Sequence, residues 1–94
     1  NTMCEILKVQ KEVEADLMRL YGPLMTGEKL WRSLGYISKD AFRQSIIRKN
    51  VPIPLIDIPN RRGKFALTKD VALFLVNIRY GSAKESQQKV YFEE

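Results

Sequence analysis

The segment from Gly35 to Pro54, GYISKDAFRQSIIRKNVPIP, sets firm limits on what this chain can fold into. Residues 39–49 contain neither glycine nor proline, and the hydroxyl of Ser38 before them can accept a hydrogen bond from the first helical turn. Pro52 and Pro54 exclude a helix and restrict the residues before them to extended geometry. The sequence therefore predicts a helix over 39–49 that runs directly into an extended segment.

A second short helix is predicted immediately before this segment. Thr26 offers an N-cap for a helix over 27–34, and Gly35 supplies its C-terminal stop. The side chains predicted to face the core are Leu30, Trp31 and Leu34. Two short helices separated by a glycine-containing turn are typical of a helix-turn-helix, which places its second helix in a DNA major groove.

A β-hairpin is predicted after the second helix. Residues 51–58 alternate prolines with β-branched residues, 60–63 form a turn, and 64–67 return as a second strand. The tip carries three cations, which are Arg61, Arg62 and Lys64. Because these side chains cannot serve a core, the pattern favours a wing that enters a minor groove or contacts phosphates.

Helical periodicity sorts the side chains of the helix over 39–49 into two faces. Phe42 and Ile46 are predicted to face the core, with Ser45 beside them. The candidate base-contacting side chains on the opposite face are Lys39, Asp40, Arg43, Gln44, Ile47 and, at its edge, Arg48. Arginine and glutamine can make paired hydrogen bonds to guanine and adenine edges, whereas an exposed isoleucine either packs under the wing or touches a thymine methyl. A merely solvated face is the alternative interpretation.

Two longer helices are predicted outside this unit. Residues 3–21 carry an apolar stripe at helical spacing, formed by Ile6, Val9, Val13, Leu17 and Leu20. That stripe fits either the domain's own core or a dimer seam. Thr68 is predicted to cap a helix over 69–80 that is apolar almost all round and ends before Gly81. This helix lies either between the hairpin and the first helix or against a second subunit.

These elements divide the chain into an N-terminal helix (1–22), a DNA-binding domain (23–81) and a polar tail (82–94). The tail is expected to be mobile or to order on a partner. The predicted fold class is mainly α with a β-hairpin wing, that is, a winged helix-turn-helix with an extra N-terminal helix.

Composition limits the function classes that remain. With 94 residues the chain makes one small domain. Its longest apolar run, 71–76, is far below the roughly 20 residues of a membrane span, so a cytoplasmic protein is expected. Cys4 is the only cysteine and histidine is absent, which excludes an intrachain disulfide and a cysteine-rich metal site and removes the commonest transition-metal ligand and general base. An intermolecular disulfide is the alternative use of Cys4. The sequence therefore predicts no enzyme activity, no catalytic residues, no metal and no cofactor.

Charge is concentrated in the middle of the chain. The net charge is +5, and residues 23–64 hold nine Lys and Arg against three Asp and Glu, or +6. Residues 1–22 hold three basic residues against four acidic ones. Such a block indicates a polyanionic partner, although small basic proteins also carry charge for solubility alone.

The run from Leu24 to Val76 resembles the small winged helix-turn-helix regulators related to phage excisionases, AlpA-type activators and the DNA-binding half of MerR. The resemblance is carried by LMTGEKLWRSLGYISKDAF, by VPIP after the second helix and by RRGKFALTKDVALFL. YGPLMTGEKL and PIPLI are also similar to the pyocin-activator group. The resemblance to these regulators implies major-groove contacts from Ser38, Lys39, Asp40, Arg43 and Gln44, and a wing formed by Arg61, Arg62 and Lys64. Many of these regulators have a small polar residue at the position of Asp40. The N-terminal helix is an addition to the minimal domain of the family.

Three functional classes follow. The first is a sequence-specific double-stranded DNA-binding protein, either a transcriptional regulator or an excisionase-like accessory factor of a phage, plasmid or mobile element. It would act in the bacterial cytoplasm, nucleoid-associated when bound, as a homodimer or side-by-side oligomer. The alternative is a protein–protein interaction module such as an antitoxin or anti-repressor. A small enzyme is the least favoured.

Overall fold

The computed structural model describes residues 2–86, and the side chains of residues 3–81. Its elements are α1 (Thr2–Tyr21), β1 (Leu24–Thr26), α2 (Gly27–Ser33), α3 (Lys39–Ile47), β2 (Phe65–Leu67) and α4 (Thr68–Ser86). The described part is thus mainly helical with one small antiparallel sheet, which confirms the coarse fold class. Within it, no helix is both long enough and apolar enough to cross a membrane.

The two strands of the sheet come from opposite ends of the predicted DNA-binding unit. β1 pairs antiparallel with β2, with Leu24 opposite Leu67, Met25 opposite Ala66 and Thr26 opposite Phe65. The middle pair is buried and faces the core. The sheet therefore closes the chain around α2, α3 and the loop that follows them.

The predicted strand over 51–58 is wrong. In this segment only Ile56 bridges to β2, through reciprocal backbone hydrogen bonds with Phe65 of 2.7 and 3.0 Å. Pro52, Pro54 and Pro59 lack the N–H donors that a longer ladder would need. The segment predicted as the first strand of a wing is therefore an irregular loop pinned at one bridge, and β2 takes its main partner from β1.

The core gathers side chains from both strands, from the loop and from α2, α3 and α4. Its buried members are Met25, Leu30, Leu34, Phe42, Ile53, Ala66 and Val71. The predicted inward positions of α2 and α3 are confirmed for Leu30, Leu34 and Phe42. Trp31 and Ile46 are half-buried and pack against this cluster rather than inside it.

α1 packs along α4. Of the predicted apolar stripe, four side chains are half-buried and Leu20 is exposed. On α4 the buried apolar side chains are Val71, Ala72 and Val76, while Leu73 and Ile78 remain exposed. Packing within the chain thus accounts for one face of each helix, and the expectation that α4 is buried on more than one side holds only in part.

Thr68 does not cap α4 as predicted. It is the first residue of the helix, its side chain is 0% exposed, and its hydroxyl donates a hydrogen bond to the Gly22 carbonyl at 2.5 Å. Its backbone N–H donates to the Pro23 carbonyl at 2.9 Å. In the sequence, a threonine at the start of an apolar helix looks the same whether its hydroxyl caps that helix or donates to another part of the chain. Here it joins the end of α1 to the start of α4.

The end of α4 also differs from the expectation. Tyr80 leaves helical geometry, with φ −118° and ψ 21°, at the residue where the helix was predicted to end. A further helical stretch then continues through Gly81 to Ser86, into the segment expected to be a tail. The rest of that segment, 87–94, lies outside the described residues.

Replacing Thr68 with valine is expected to lower the free energy of unfolding by about 1–3 kcal/mol. Valine keeps the volume but removes the hydroxyl, which leaves the Gly22 carbonyl without its hydrogen-bond partner. Urea denaturation followed by Trp31 fluorescence measures the change. Thr26→Val is the matched control, because the exposed Thr26 hydroxyl donates to the Lys64 carbonyl, where water can replace it. Equal losses in both variants would contradict the role given to Thr68.

Candidate nucleic-acid interface

The turn between α2 and α3 is closed by backbone hydrogen bonds. The N–H of Gly35 donates to Arg32 O and the N–H of Tyr36 donates to Trp31 O, both at 3.0 Å. This is a Schellman arrangement, which needs a residue in left-handed geometry, and Gly35 has φ 94°. The prediction that Gly35 ends α2 is confirmed. The predicted side-chain cap at the start of α2 is wrong, because the Thr26 hydroxyl donates to Lys64 O instead.

Ser38 caps α3 as predicted. It has extended backbone geometry, and its Oγ accepts a hydrogen bond from the Ala41 N–H at 3.1 Å. The first turn of α3 is therefore fixed by the residue that the sequence indicated. The Ser38 hydroxyl oxygen thus serves the cap, and Ser38 sets where α3 begins.

α3 ends two residues before the predicted boundary. Lys49 adopts left-handed geometry, with φ 57°, and hydrogen bonds of 3.0 Å run from Lys49 N to Ile46 O and from Asn50 N to Ser45 O. The Ser45 hydroxyl, buried as predicted, contacts the Tyr36 hydroxyl at 2.6 Å and also bonds the Asn50 side chain. This network ties the turn before α3 to the turn after it.

The exposed face of α3 has the composition that helical periodicity predicts. Its exposed side chains are Lys39, Asp40, Arg43, Gln44 and Ile47, followed by Arg48 at the C-cap. Arg43 Nη1 lies 3.8 Å from Asp40 Oδ1, a loose pair between two exposed groups. Such a pair contributes little to stability, so both side chains are available to a ligand. Ile47 is 68% exposed, which shows that it does not pack under the wing.

The tip of the loop presents Arg61 and Arg62 to solvent. Asn60 and Gly63 on either side have positive φ, 66° and 85°, and form the bends that project the two arginines. Lys64 differs from them, because its Nζ lies 2.9 Å from Asp57 Oδ1. Among the described residues, the two arginines have no acidic partner, whereas the charge of Lys64 is partly neutralised.

A groove of about 430 Å³ brings the α3 face and the loop together. Its apolar lining comes from Trp31, Phe42 and Ile46, and its cationic lining comes from Lys39, Arg43, Arg62 and Lys64. The hydrogen bond from Thr26 Oγ1 to Lys64 O, 2.8 Å long, holds the loop against the start of α2. Residues that the sequence assigned separately to recognition helix and wing therefore line one surface feature.

A second, more polar groove was not anticipated from the sequence. Its volume is about 730 Å³, and it is lined by Tyr21, Thr26, Glu28, Lys29, Arg32 and Ser33. Arg32 forms a salt bridge with Glu28. Its guanidinium carbon lies 5.5 Å from the centroid of the Trp31 ring, and Nζ of Lys29 lies 5.6 Å from the centroid of the Tyr21 ring. In the sequence, the one signal for this groove is the four-residue spacing of Glu28 and Arg32, which is typical of a salt bridge on one face of a helix.

The exposed side chains of α3 and of the loop tip are mainly cationic. Within the described residues, no group of three or more acidic or cysteine side chains is arranged to hold a metal ion. Comparison with known proteins adds no assignment, since no family model, curated protein or solved structure matches the chain.

Proposed function

We propose that this chain is a sequence-specific double-stranded DNA-binding protein of the winged helix-turn-helix type. It serves as a transcriptional regulator or excisionase-like accessory factor of a phage, plasmid or other mobile element. The observation that carries the proposal is the groove shared by α3 and the loop, lined by cations from both. A merely solubilising charge distribution gives no reason for these cations to converge.

α3 is the base-reading element in this proposal. The exposed Arg43 and Gln44 make paired hydrogen bonds to guanine and adenine edges in the major groove. Asp40 either accepts a hydrogen bond from a cytosine amino group or orients Arg43. Its Oδ1 lies 3.8 Å from Arg43 Nη1. Lys39 and Arg48, at the two ends of the helix, contact the phosphates of opposite groove walls.

The loop acts as the wing. Arg61 and Arg62, held out by the bends at Asn60 and Gly63, contact the sugar-phosphate backbone or the adjacent minor groove. Lys64 has a smaller role than the sequence suggested, because its ammonium group is engaged by Asp57.

Two copies bound as a homodimer or side by side would lengthen the DNA site. The exposed apolar side chains Leu7 and Leu20 on α1 and Leu73 on α4 supply a surface for such contacts. The same surface favours the second candidate function, an interaction module such as an antitoxin or anti-repressor. In that case the apolar helices engage another protein and the basic face is incidental.

The test is a binding-site selection from random duplex, followed by titration of variants on the selected duplex and on an unrelated one. Arg43→Ala is expected to weaken binding to the selected duplex by about 5–150-fold, the value of one bidentate base contact, and to spare the unrelated duplex. Arg62→Ala is expected to weaken both duplexes alike, because phosphate contacts carry no sequence information. Arg79→Ala, on α4, is the matched control and leaves both unchanged.

Two results would contradict the proposal in different ways. Equal effects of Arg43→Ala and Arg62→Ala on both duplexes would show that α3 does not read bases. Absence of any retarded band in a gel-shift titration at low salt would reject DNA binding and favour the interaction module.

A further inference from the structure

Ile37 is the most exposed large hydrophobic residue of the described chain, at 91%. It lies between the Gly35 turn and the Ser38 cap, immediately before the first turn of α3. Its backbone position is therefore fixed on both sides, although its side chain is almost entirely in solvent.

This exposure is unusual for its position. A hydrophobic residue just before an N-cap commonly packs on the fourth residue of the helix, here Phe42. In this chain Tyr36 occupies that place, with ring centroids 5.3 Å apart and its hydroxyl bonded to Ser45. Ile37 thus has no part in anchoring α3, and local folding does not explain why an isoleucine stands there.

We infer that Ile37 is a specificity-determining residue of the proposed DNA interface and contacts the C5-methyl group of a thymine in the major groove. The inference rests on the proposed function, in which α3 lies in the major groove, because residues at the N-terminal end of a recognition helix lie close to the base edges. The thymine methyl is the apolar group that a base pair presents in that groove, and aliphatic side chains can recognise it.

The surroundings of Ile37 favour a thymine over a protein partner. The exposed residues that flank it in the sequence, Gly35, Lys39 and Asp40, carry no large apolar side chain, whereas protein-binding sites are usually contiguous apolar patches. The first turn of α3 beside it holds one cation and one anion, Lys39 and Asp40. A single aliphatic group among charged side chains matches an isolated methyl better than it matches a protein surface.

The test removes each partner of the contact in turn. In the selected duplex, each thymidine is replaced singly by deoxyuridine, which lacks only the C5-methyl. One such replacement is expected to weaken binding of the unmodified full chain about fourfold, the effect of burying one methyl-sized group. Ile37→Ala removes the three side-chain carbons beyond Cβ, and it is expected to weaken binding to the unmodified duplex by at least that factor and to be insensitive to that replacement. This coupling is what a double-mutant cycle measures.

Matched controls separate this contact from general effects. Ile78→Ala truncates another exposed isoleucine, 68% exposed on α4, and is expected to keep full sensitivity to deoxyuridine. Circular dichroism and the thermal midpoint of Ile37→Ala should equal those of the unmodified chain, because its side chain contributes almost nothing to the core.

Each outcome bears on a different claim. Selection of a defined duplex whose deoxyuridine sensitivity is identical in Ile37→Ala and the unmodified chain overturns the role of Ile37 and leaves the proposed function intact. Loss of that sensitivity in Ile47→Ala instead assigns the methyl contact to the other end of α3 and likewise overturns the inference. Failure to select any duplex rejects the proposed function itself.

Discussion

Phe42→Ala is expected to lower the free energy of unfolding by about 3–5 kcal/mol, the usual range for truncating a buried phenylalanine. Phe42 is 6% exposed, belongs to the central cluster and packs its ring against Tyr36. Its removal leaves a cavity where α3 meets the rest of the core. A domain of this size has a total stability on the order of 5–14 kcal/mol, so the loss is a large fraction of it.

Urea denaturation monitored by far-ultraviolet circular dichroism measures this change. Ile47→Ala is the control on the same helix, because Ile47 is 68% exposed and its truncation should alter stability by no more than about 0.5 kcal/mol. A similar small effect in both variants would show that α3 is held by its turns rather than by Phe42.

Raising monovalent salt from about 50 to about 200 mM is expected to weaken DNA binding roughly 150-fold. The estimate counts one phosphate contact for each of the four proposed backbone cations, with a slope of about −0.9 per contact in log affinity against log salt. Those cations are Lys39, Arg48, Arg61 and Arg62. Lys64 is left out because Asp57 already pairs with it.

Replacing Arg61 and Arg62 together with alanine is expected to reduce this salt slope by about two, so that the same change of salt weakens binding only about 12-fold. Fluorescence anisotropy of a labelled duplex at several salt concentrations gives both slopes. Arg79→Ala removes an arginine from α4 and should leave the slope unchanged. A slope near zero for the unmodified chain would mean that the basic face does not contact a nucleic-acid backbone.

Local signals were sufficient to predict much of α2, α3 and the turn between them. Ser38 and Gly35 fix the boundaries of α3 and α2 through a cap and a left-handed turn, and these depend on residue type within a few positions. The division of α3 into a buried and an exposed face follows from helical periodicity in the same way. The one local error in α3, its early end, arises because Lys49 takes a left-handed geometry that usually belongs to glycine or asparagine.

Long-range features could not be predicted in this manner. The partner of β2 is β1, which is separated from it in the sequence by two helices. The alternation of residues 51–58 does not reveal that β1 competes with this segment for pairing with β2. The burial of Thr68 likewise depends on where α1 ends, which a capping rule does not consider. For the candidate site, residue types indicated which cations are exposed, but the pairing of Lys64 with Asp57 required the fold of the loop.

The pairing of Leu24 with Leu67 means that residues 24–67, which include the elements of the proposed DNA interface, begin and end at one place in the molecule. Paired residues of an antiparallel ladder have Cα atoms about 4.5–5.5 Å apart, so residues 24–67 form a closed excursion from the junction of α1 and α4. Seen in this way, the chain is a helical hairpin with an insertion at its bend. Under the proposed function, side chains on the outer face of the insertion can therefore change during evolution, and with them the preferred DNA sequence, without disturbing the helical pair that supports it.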